Sequence, residues 1–360
     1  MKITLLEEPK IIMSNPDSPH NYFGWPTAAR LKDGRIAVAA SGFRLRHICP
    51  FGKAVISYST DEGETYTAPV PIIDTSLDDR DGGITPFGDS GVLFSSFNNT
   101  VNFQRQHSKT PYDIEHLNKI TPEDEVRDLG SVFRISFDNG KTFGEIFKSP
   151  VTSPHGPIDL CDGSLLWVGR TFSAEDAQII GKDRIEAHKV NLDGTTEFVG
   201  AIKNVDDGKY PPLSCEPHTL LRDDGSLITL IRVQRFEDER MFTIFKSESF
   251  DKGHTWTDPV QILDRLGGSP PHMLKTSSGL LVCTYGYREA PFGVRVIFSN
   301  DDGNTWSAPQ DLYVNGVCGD LGYPSSVELY NGDILTVFYA HPTDRSPAVI
   351  MQQKWRIEND

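Results

Sequence analysis

Residues 297–309 read IFSNDDGNTWSAP, and the pattern inside them, Ser299-x-Asp301-x-Gly303-x-Thr305-Trp306, occurs four times in the chain. The other copies are Ser59-x-Asp61-x-Gly63-x-Thr65-Tyr66, Ser136-x-Asp138-x-Gly140-x-Thr142-Phe143 and Ser249-x-Asp251-x-Gly253-x-Thr255-Trp256. An apolar, β-prone run leads into the copy at 297–309. In such a segment the aspartate accepts hydrogen bonds from turn amides. The glycine takes positive φ, and the Thr-aromatic pair resumes an extended strand. One copy would make a hairpin. Four copies, tens of residues apart, mean a repeated supersecondary unit, and that restricts the chain to a repeat architecture.

A second repeat lies between these Asp turns. It is a strand, a tight turn ending in glycine, and a strongly apolar strand. Its six copies are WPTAARLKDGRIAVAASG (25–42), GGITPFGDSGVLFSSFN (82–98), HGPIDLCDGSLLWVGR (155–170), EPHTLLRDDGSLITLIR (216–232), PPHMLKTSSGLLVCTYG (270–286) and YPSSVELYNGDILTVFY (323–339). The turn glycines are Gly34, Gly91, Gly163, Gly225, Gly279 and Gly332. Short apolar or alternating runs of this kind are strands buried between packed sheets. Six inner hairpins, four followed by an Asp turn, predict an all-β, six-bladed β-propeller with four-stranded blades, as one domain over residues 1–360. Two packed β-sandwiches would not require six evenly repeated units. The third copy has only a degenerate turn, Asn191-Leu-Asp193-Gly194-Thr195, and the sixth has none. Closing the ring requires a further strand, and residues 3–13 are expected to complete the last blade and protect its edge. Two polar stretches fall outside the repeat, 102–127 in blade two and 175–185 in blade three. The first reads as a loop or short helix, and insertions of this length line a site or a subunit contact.

Composition narrows the function. A formal net charge of −15 disfavours a nucleic-acid partner, which needs a basic surface, but it permits a local basic pocket. Glu7 and Glu8 interrupt the N-terminal segment where a secretory signal would be apolar, so a cytoplasmic protein without membrane spans is expected. The five cysteines are scattered, with no CxxC pair, and read as free thiols. No spacing calls for a metal or a cofactor.

In a propeller the inner strands converge on the axis, and their first residues line one mouth of the central channel. Aligned on the turn glycines, those residues are Trp25, Gly82, Pro154 and His155, Glu216 and His218, His272, and Tyr323. Acids, histidines and aromatic rings converging on one axis mark a binding site. Arg170 and Arg232 each follow their turn glycine by seven residues. An arginine ending an apolar strand is costly to bury unless an anion meets it.

The Asp turns and six hairpins together resemble the sialidase (neuraminidase) superfamily, over essentially the whole chain. The resemblance implies an arginine triad for a substrate carboxylate, a tyrosine nucleophile, a glutamate as its base and an aspartate as general acid. Glu216 stands where the family glutamate opens the fourth repeat. Arg232 stands where the second triad arginine belongs. Arg295, before the fifth-blade Asp turn, matches the third, and Tyr323 matches the nucleophile. Two departures stand out. The family's Phe/Tyr-Arg-Ile-Pro is Phe23-Gly24-Trp25-Pro26 here, so the first arginine is missing. The loop that should carry the acid aspartate, SGFRLRHICPFGK (41–53), has no carboxylate and offers Arg44, Arg46 and His47 instead.

The tyrosine–glutamate pair makes sense on its own chemistry. A phenol with a pKa near 10 is a poor nucleophile until a neighbouring carboxylate takes its proton. An aryl oxide also avoids the repulsion between two carboxylates at an anionic anomeric centre, and sialidases are the known exception to two-carboxylate glycosidases. His47 is the candidate acid because imidazole titrates near neutrality, and Asp81, in LDDRDGG, is the second candidate. Arg232 and Arg295 would clamp a carboxylate, with Arg170, Arg44, His218 and His272 as further substrate contacts. Trp25 would either fill the place of the missing arginine or stack on a sugar ring.

The chain is therefore expected to be an exo-acting glycoside hydrolase acting on a terminal acidic sugar, with a carbohydrate as its partner and a homo-oligomer left open. A polysaccharide lyase acting on uronates and a non-catalytic carbohydrate-binding propeller are the alternatives. Each residue also has a plainer reading. Glu216 and Arg232 would be an ion pair ordering one blade, Tyr323 a cap on a strand, and the three histidines repeat residues packed near the axis. The Asp turns are structural on either view.

Overall fold

Every Asp turn links the third strand of a sheet to its fourth. The turn at Ser59 follows strand Lys53–Ser59 and precedes Val70–Ile73; the turn at Ser299 follows Phe292–Ser299 and precedes Gln310–Gly316. In all four copies the hydrogen bonds repeat. The serine Oγ donates to the aspartate at 2.7–2.9 Å and accepts the glycine N–H at 2.8–2.9 Å. The threonine N–H donates to the same aspartate oxygen at 2.8–2.9 Å, and its hydroxyl donates to the other oxygen at 2.5–2.6 Å. The residue before each glycine, Glu62, Asn139, Lys252 or Asp302, is itself left-handed, with φ of 55–58°.

The computed structural model describes residues 1–172, 185–205, 213–235, 241–264 and 266–358. It is a six-bladed β-propeller of antiparallel, mostly four-stranded blades. The inner hairpins pair Tyr22–Arg30 with Ile36–Arg44, Arg80–Phe87 with Gly91–Phe97, Leu213–Leu221 with Leu227–Arg235, Gly268–Lys275 with Leu281–Tyr287, and Gly322–Glu328 with Ile334–Ala340. In blade three the innermost strand is broken into Val151–Thr152 and Ile158–Asp159, both paired with Leu165–Thr171. The sixth sheet is completed by the chain's start: Lys2–Leu5 and Lys10–Met13 both pair with Val349–Glu358. One turn differs from expectation. In blade two the left-handed glycine is Gly88, at φ 52°, and Gly91 already belongs to the next strand.

The core lies between successive blades. Val38 and Val55 of blade one, for example, pack with Leu335 and Val337 of blade six, all fully buried. Each such side chain contributes about 1.5–3 kcal/mol of burial free energy, so six interfaces of this kind hold the ring rigid around its axis.

The insertion in blade two is three short helices, α1 (Val101–His107), α2 (Pro111–Leu117) and α3 (Pro122–Asp128). Thr110 and Thr121 cap the second and third in capping boxes, each with proline in the first turn, which explains why so polar a stretch is helical. The insertion expected at 175–185 lies, but for Ile185, outside the described residues. Among the described residues no helix is long and apolar enough to cross a membrane.

Candidate active site

A β-bulge interrupts the start of the inner strand in five blades: the register shifts between Gly24 and Thr27, Arg80 and Gly83, Cys215 and His218, Gly268 and Pro271, and Gly322 and Ser325. A bulge leaves one residue unpaired and re-aims its side chain. In four blades that residue is left-handed and not glycine: Trp25 (φ 54°), Asp81 (φ 56°), Glu216 (φ 49°) and Tyr323 (φ 50°). All four line one axial cavity of about 250 Å³. Left-handed non-glycine backbone is uncommon, and its strain concentrates at functional sites. The glycines after Asp81 are forced by crowding, since a Cβ on Gly82 would lie 2.5 Å from Ala40 N and one on Gly83 would lie 2.8 Å from Gly156 N.

Tyr323 and Glu216, 107 residues apart in sequence, meet at the cavity floor. The Tyr323 hydroxyl donates to Glu216 Oε1 at 2.5 Å. Arg232 donates from Nη1 to Glu216 Oε2 and, at 3.1 Å, to the Tyr323 hydroxyl. Gln234 accepts from the Nε and Nη2 of Arg232 at 3.0 and 2.5 Å. Burial works against the Glu216 charge, but Arg232 and the bonds from Tyr323 and Arg232 outweigh it and hold its pKa below the usual carboxylate value. Burial, with the Glu216 charge second, pushes the Tyr323 phenol well above its ordinary value. The floor therefore holds an ionised acceptor and a neutral phenol already aimed at it. Asp81 is the opposite case. Burial, then the Glu216 charge, raises its pKa to about 7. Among the described residues no hydrogen bond reaches its carboxyl group.

Four guanidiniums border the same cavity, those of Arg80, Arg170, Arg232 and Arg288, against the two carboxyl groups of Asp81 and Glu216. Arg80 donates from Nη1 to His47 O at 3.0 Å and lies 4.3 Å from the Trp25 ring. Arg288 donates from Nε to Leu321 O at 3.1 Å and lies 5.6 Å from the Tyr323 ring. Among the described residues neither spends its Nη2 on a protein acceptor.

His47 sits at the rim, its side chain 46% exposed, and Asp320 Oδ1 accepts from its Nδ1 at 2.8 Å. Desolvation lowers its pKa; the Asp320 hydrogen bond and charge raise it, Arg80 and Arg44 lower it, and the balance falls below the ordinary imidazole value. With Nδ1–H turned to a carboxylate, neutral His47 presents an acceptor Nε2 to the cavity.

Several sequence-based assignments move. Arg295 borders no part of the cavity: it pairs with Asp311 at 2.7 Å on the third strand of blade five and stacks on Tyr287 at 3.5 Å. The guanidinium that blade five supplies is that of Arg288, at the end of the inner hairpin. Arg44 is completely buried behind Trp25 in an ion pair with Asp78 at 2.6 Å, and its guanidinium also donates to Ser41 Oγ and His47 O. Its place is to hold the 41–53 loop. Trp25 is 2% exposed, with Arg80 and Arg44 both over its ring, so it fills space and leaves no open face for a sugar. His218 and His272 leave the site too. They cluster with His155, ring centroids 4.4–5.1 Å apart, along a second axial cavity of about 460 Å³. His218 Nδ1 accepts the Met273 N–H and His272 Nδ1 the Ser326 N–H, so each Nε2 carries the proton. Burial lowers all three, His218 to about 3, and the cluster is neutral packing. Among the described residues no group of histidine, cysteine or carboxylate side chains has metal-ligating geometry.

Arg80, Arg288, Gln234, Asp320 and Phe103 of α1 escaped the sequence reading. Arg80 had a visible signal, its adjacency to Asp81. Phe103 lies in the 102–127 insertion that was expected to line a site or a subunit contact, but no repeat offset singled it out within that stretch.

No family model matches the chain, and no curated protein matches it in sequence. Solved structures match its fold. A protein of unknown function from Dyadobacter fermentans superposes with a TM-score of 0.78 at 20% identity, covering 99% of both chains. The NanB sialidase of Streptococcus pneumoniae gives 0.67 at 14% identity, over 98% of this chain and 71% of that one. An α-L-arabinofuranosidase from Fusarium graminearum gives 0.63 at 12% identity, over 97% of both. Beside the protein of unknown function, these structural neighbours are a sialidase and another glycosidase on the same propeller.

Proposed function

We propose that the chain is an exo-acting glycoside hydrolase for a terminal acidic sugar, with Tyr323 as nucleophile. The observation that carries this reading is the short hydrogen bond from Tyr323 to an ionised, Arg232-braced Glu216 in a cavity with more guanidiniums than carboxylates. In the first step the Tyr323 oxygen attacks the anomeric carbon while Glu216 takes the phenol proton. Asp81, protonated up to about pH 7, gives its proton to the departing glycosidic oxygen. This division puts Asp81, the second candidate for the acid, ahead of His47, the first. His47 is neutral and presents an acceptor, so it is not suited to protonating a leaving group. Arg80 and Arg288 take over the carboxylate contacts, each with donors to spare. The glycosidase neighbours support the reaction class, and their low identity leaves the sugar to experiment.

The test is a panel of aryl glycosides of sialic acid, other ulosonic acids, uronic acids and neutral sugars, with wild type and Tyr323→Phe. The reading requires one acidic glycoside to be cleaved and Tyr323→Phe to lose most of that rate. Cleavage of neutral sugars alone would remove the guanidinium clamp from the account. An unsaturated, ultraviolet-absorbing product would replace hydrolysis with elimination. Tight binding without turnover, unchanged by Glu216→Gln, would make the chain a carbohydrate-binding propeller.

A further inference from the structure

Asp320 is a hub that the reaction above leaves unused. Its carboxylate accepts from Tyr22 at 2.9 Å, Tyr339 at 2.9 Å, His47 Nδ1 at 2.8 Å and His341 Nε2 at 3.1 Å. Both nitrogens of His341 face acceptors, Asp320 and Ser346 O, so both carry protons and the ring is an imidazolium. Four donors, one of them a cation, keep Asp320 ionised. They also fix it behind His47, which lines the cavity with its side chain half exposed and, among the described residues, no protein partner on Nε2. A carboxylate behind an imidazole, holding its tautomer and stabilising the imidazolium that forms, is the arrangement by which histidine serves as a general base. The floor has its own pair in Glu216 and Tyr323, and Asp81 serves the leaving group. His47 is therefore surplus to the first half of the reaction.

We propose that His47, oriented by Asp320, is the base that activates water in the second half of the reaction. The inference rests on the tyrosine-nucleophile reading. The water oxygen attacks the anomeric carbon of the glycosyl-tyrosine, and its proton passes to His47 Nε2. The carbon–oxygen bond to Tyr323 breaks with its electron pair left on the phenol oxygen, which takes back the proton held by Glu216. His47 then releases its proton to solvent, and Asp81, left as the anion by the first step, takes one back from solvent. Asp81 donates in the first step and His47 accepts in the second, so departure of the leaving group and entry of water use different groups. Asp320 is a positioning residue.

The experiment is pre-steady-state hydrolysis of the aryl glycoside that the panel identifies, with and without azide, by wild type, His47→Ala and Asp320→Asn. The His47 side chain is half exposed and its backbone carbonyl does the anchoring, so truncation spares the fold. His47→Ala is expected to keep a stoichiometric burst of phenol and lose about 10²–10⁴-fold in steady-state turnover. Azide, which needs no base, should restore turnover and give a glycosyl azide. Asp320→Asn, scored only if its thermal unfolding matches wild type, should show the same burst and the same azide rescue. Loss of the burst in His47→Ala, or turnover that azide does not accelerate, overturns the role of His47, as would wild-type turnover in that variant. A burst that survives in Tyr323→Phe overturns the underlying reading instead, whatever His47 does.

Discussion

The outer Asp turns and the axial mouth solve the same backbone problem in different ways. Each holds non-glycine residues in left-handed conformation: Glu62, Asn139, Lys252 and Asp302 outside, Trp25, Asp81, Glu216 and Tyr323 inside. Outside, the strained residue is locked by hydrogen bonds that span four residues, from Ser59 to Gly63 and from Asp61 to Thr65, in which its own side chain takes no part. Inside, the lock is a strand bulge pressed against neighbouring blades, and the strained residue's side chain is the reason for the strain. The outer turn serves the sheet; the inner bulge spends stability to bring two carboxyl groups, a phenol and an indole to the wall of one cavity.

Four predictions test that contrast. Asp81→Asn should lower kcat/KM by about 10²–10⁴-fold, the usual scale for losing a general acid. The alkaline limb of the wild-type profile should fall near pH 7, where Asp81 loses its proton, and vanish in the variant. Stability gives an independent sign. A carboxyl whose folded pKa is raised to about 7 binds its proton more tightly in the native state. Native stability therefore declines as pH rises from about 4 to about 7, and that decline should flatten in Asp81→Asn, as followed by urea unfolding.

Arg232→Ala should cost about 3 kcal/mol in urea unfolding, because it strands a largely buried carboxylate. Arg295→Ala, which breaks a half-exposed pair with Asp311, should cost less than about 1 kcal/mol. Equal losses would erase the difference between the inner and outer guanidiniums.

Arg288→Gln should raise KM for an acidic glycoside by about 10- to 100-fold, the worth of a hydrogen bond to a charged group, with little change for a neutral one. Arg295→Gln should leave KM unchanged, and a shift there would return the third triad position to Arg295. The smallest effect belongs to the outer turns. Ser136→Ala removes the buried hydroxyl that accepts the Gly140 N–H, and should cost about 1–2 kcal/mol in thermal unfolding with kcat/KM unchanged. A catalytic defect in that variant would show that turn and mouth are coupled.

These two regions also mark how far the sequence could be read. The blade count and the Asp turns were legible because their determinants lie within a few residues of one another. Glu216, Arg232 and Tyr323 were legible because each stands at a fixed offset from a turn glycine. Arg288 was not, since it falls two residues beyond the position that Arg170 and Arg232 occupy. The histidines misled for a related reason. An offset names the blade and the strand, but a bulge of one residue decides which layer of the axis a side chain enters, and His218 and His272 went to the layer below.

By itself, then, the sequence determined the repeat, the turns and the identity of the groups that three blades send to the axis, because local hydrogen bonds and side-chain periodicity act along the chain. Only the tertiary structure decided their partners and protonation. Burial works against both carboxylates, but the direct bond from Arg232 keeps Glu216 ionised, whereas Asp81, without such a bond, holds its proton up to about pH 7. His47 is an acceptor because Asp320, 273 residues away, lies behind it. Charge and tautomer follow from who is within 3 Å in a desolvated cavity, and that is settled only when the ring closes.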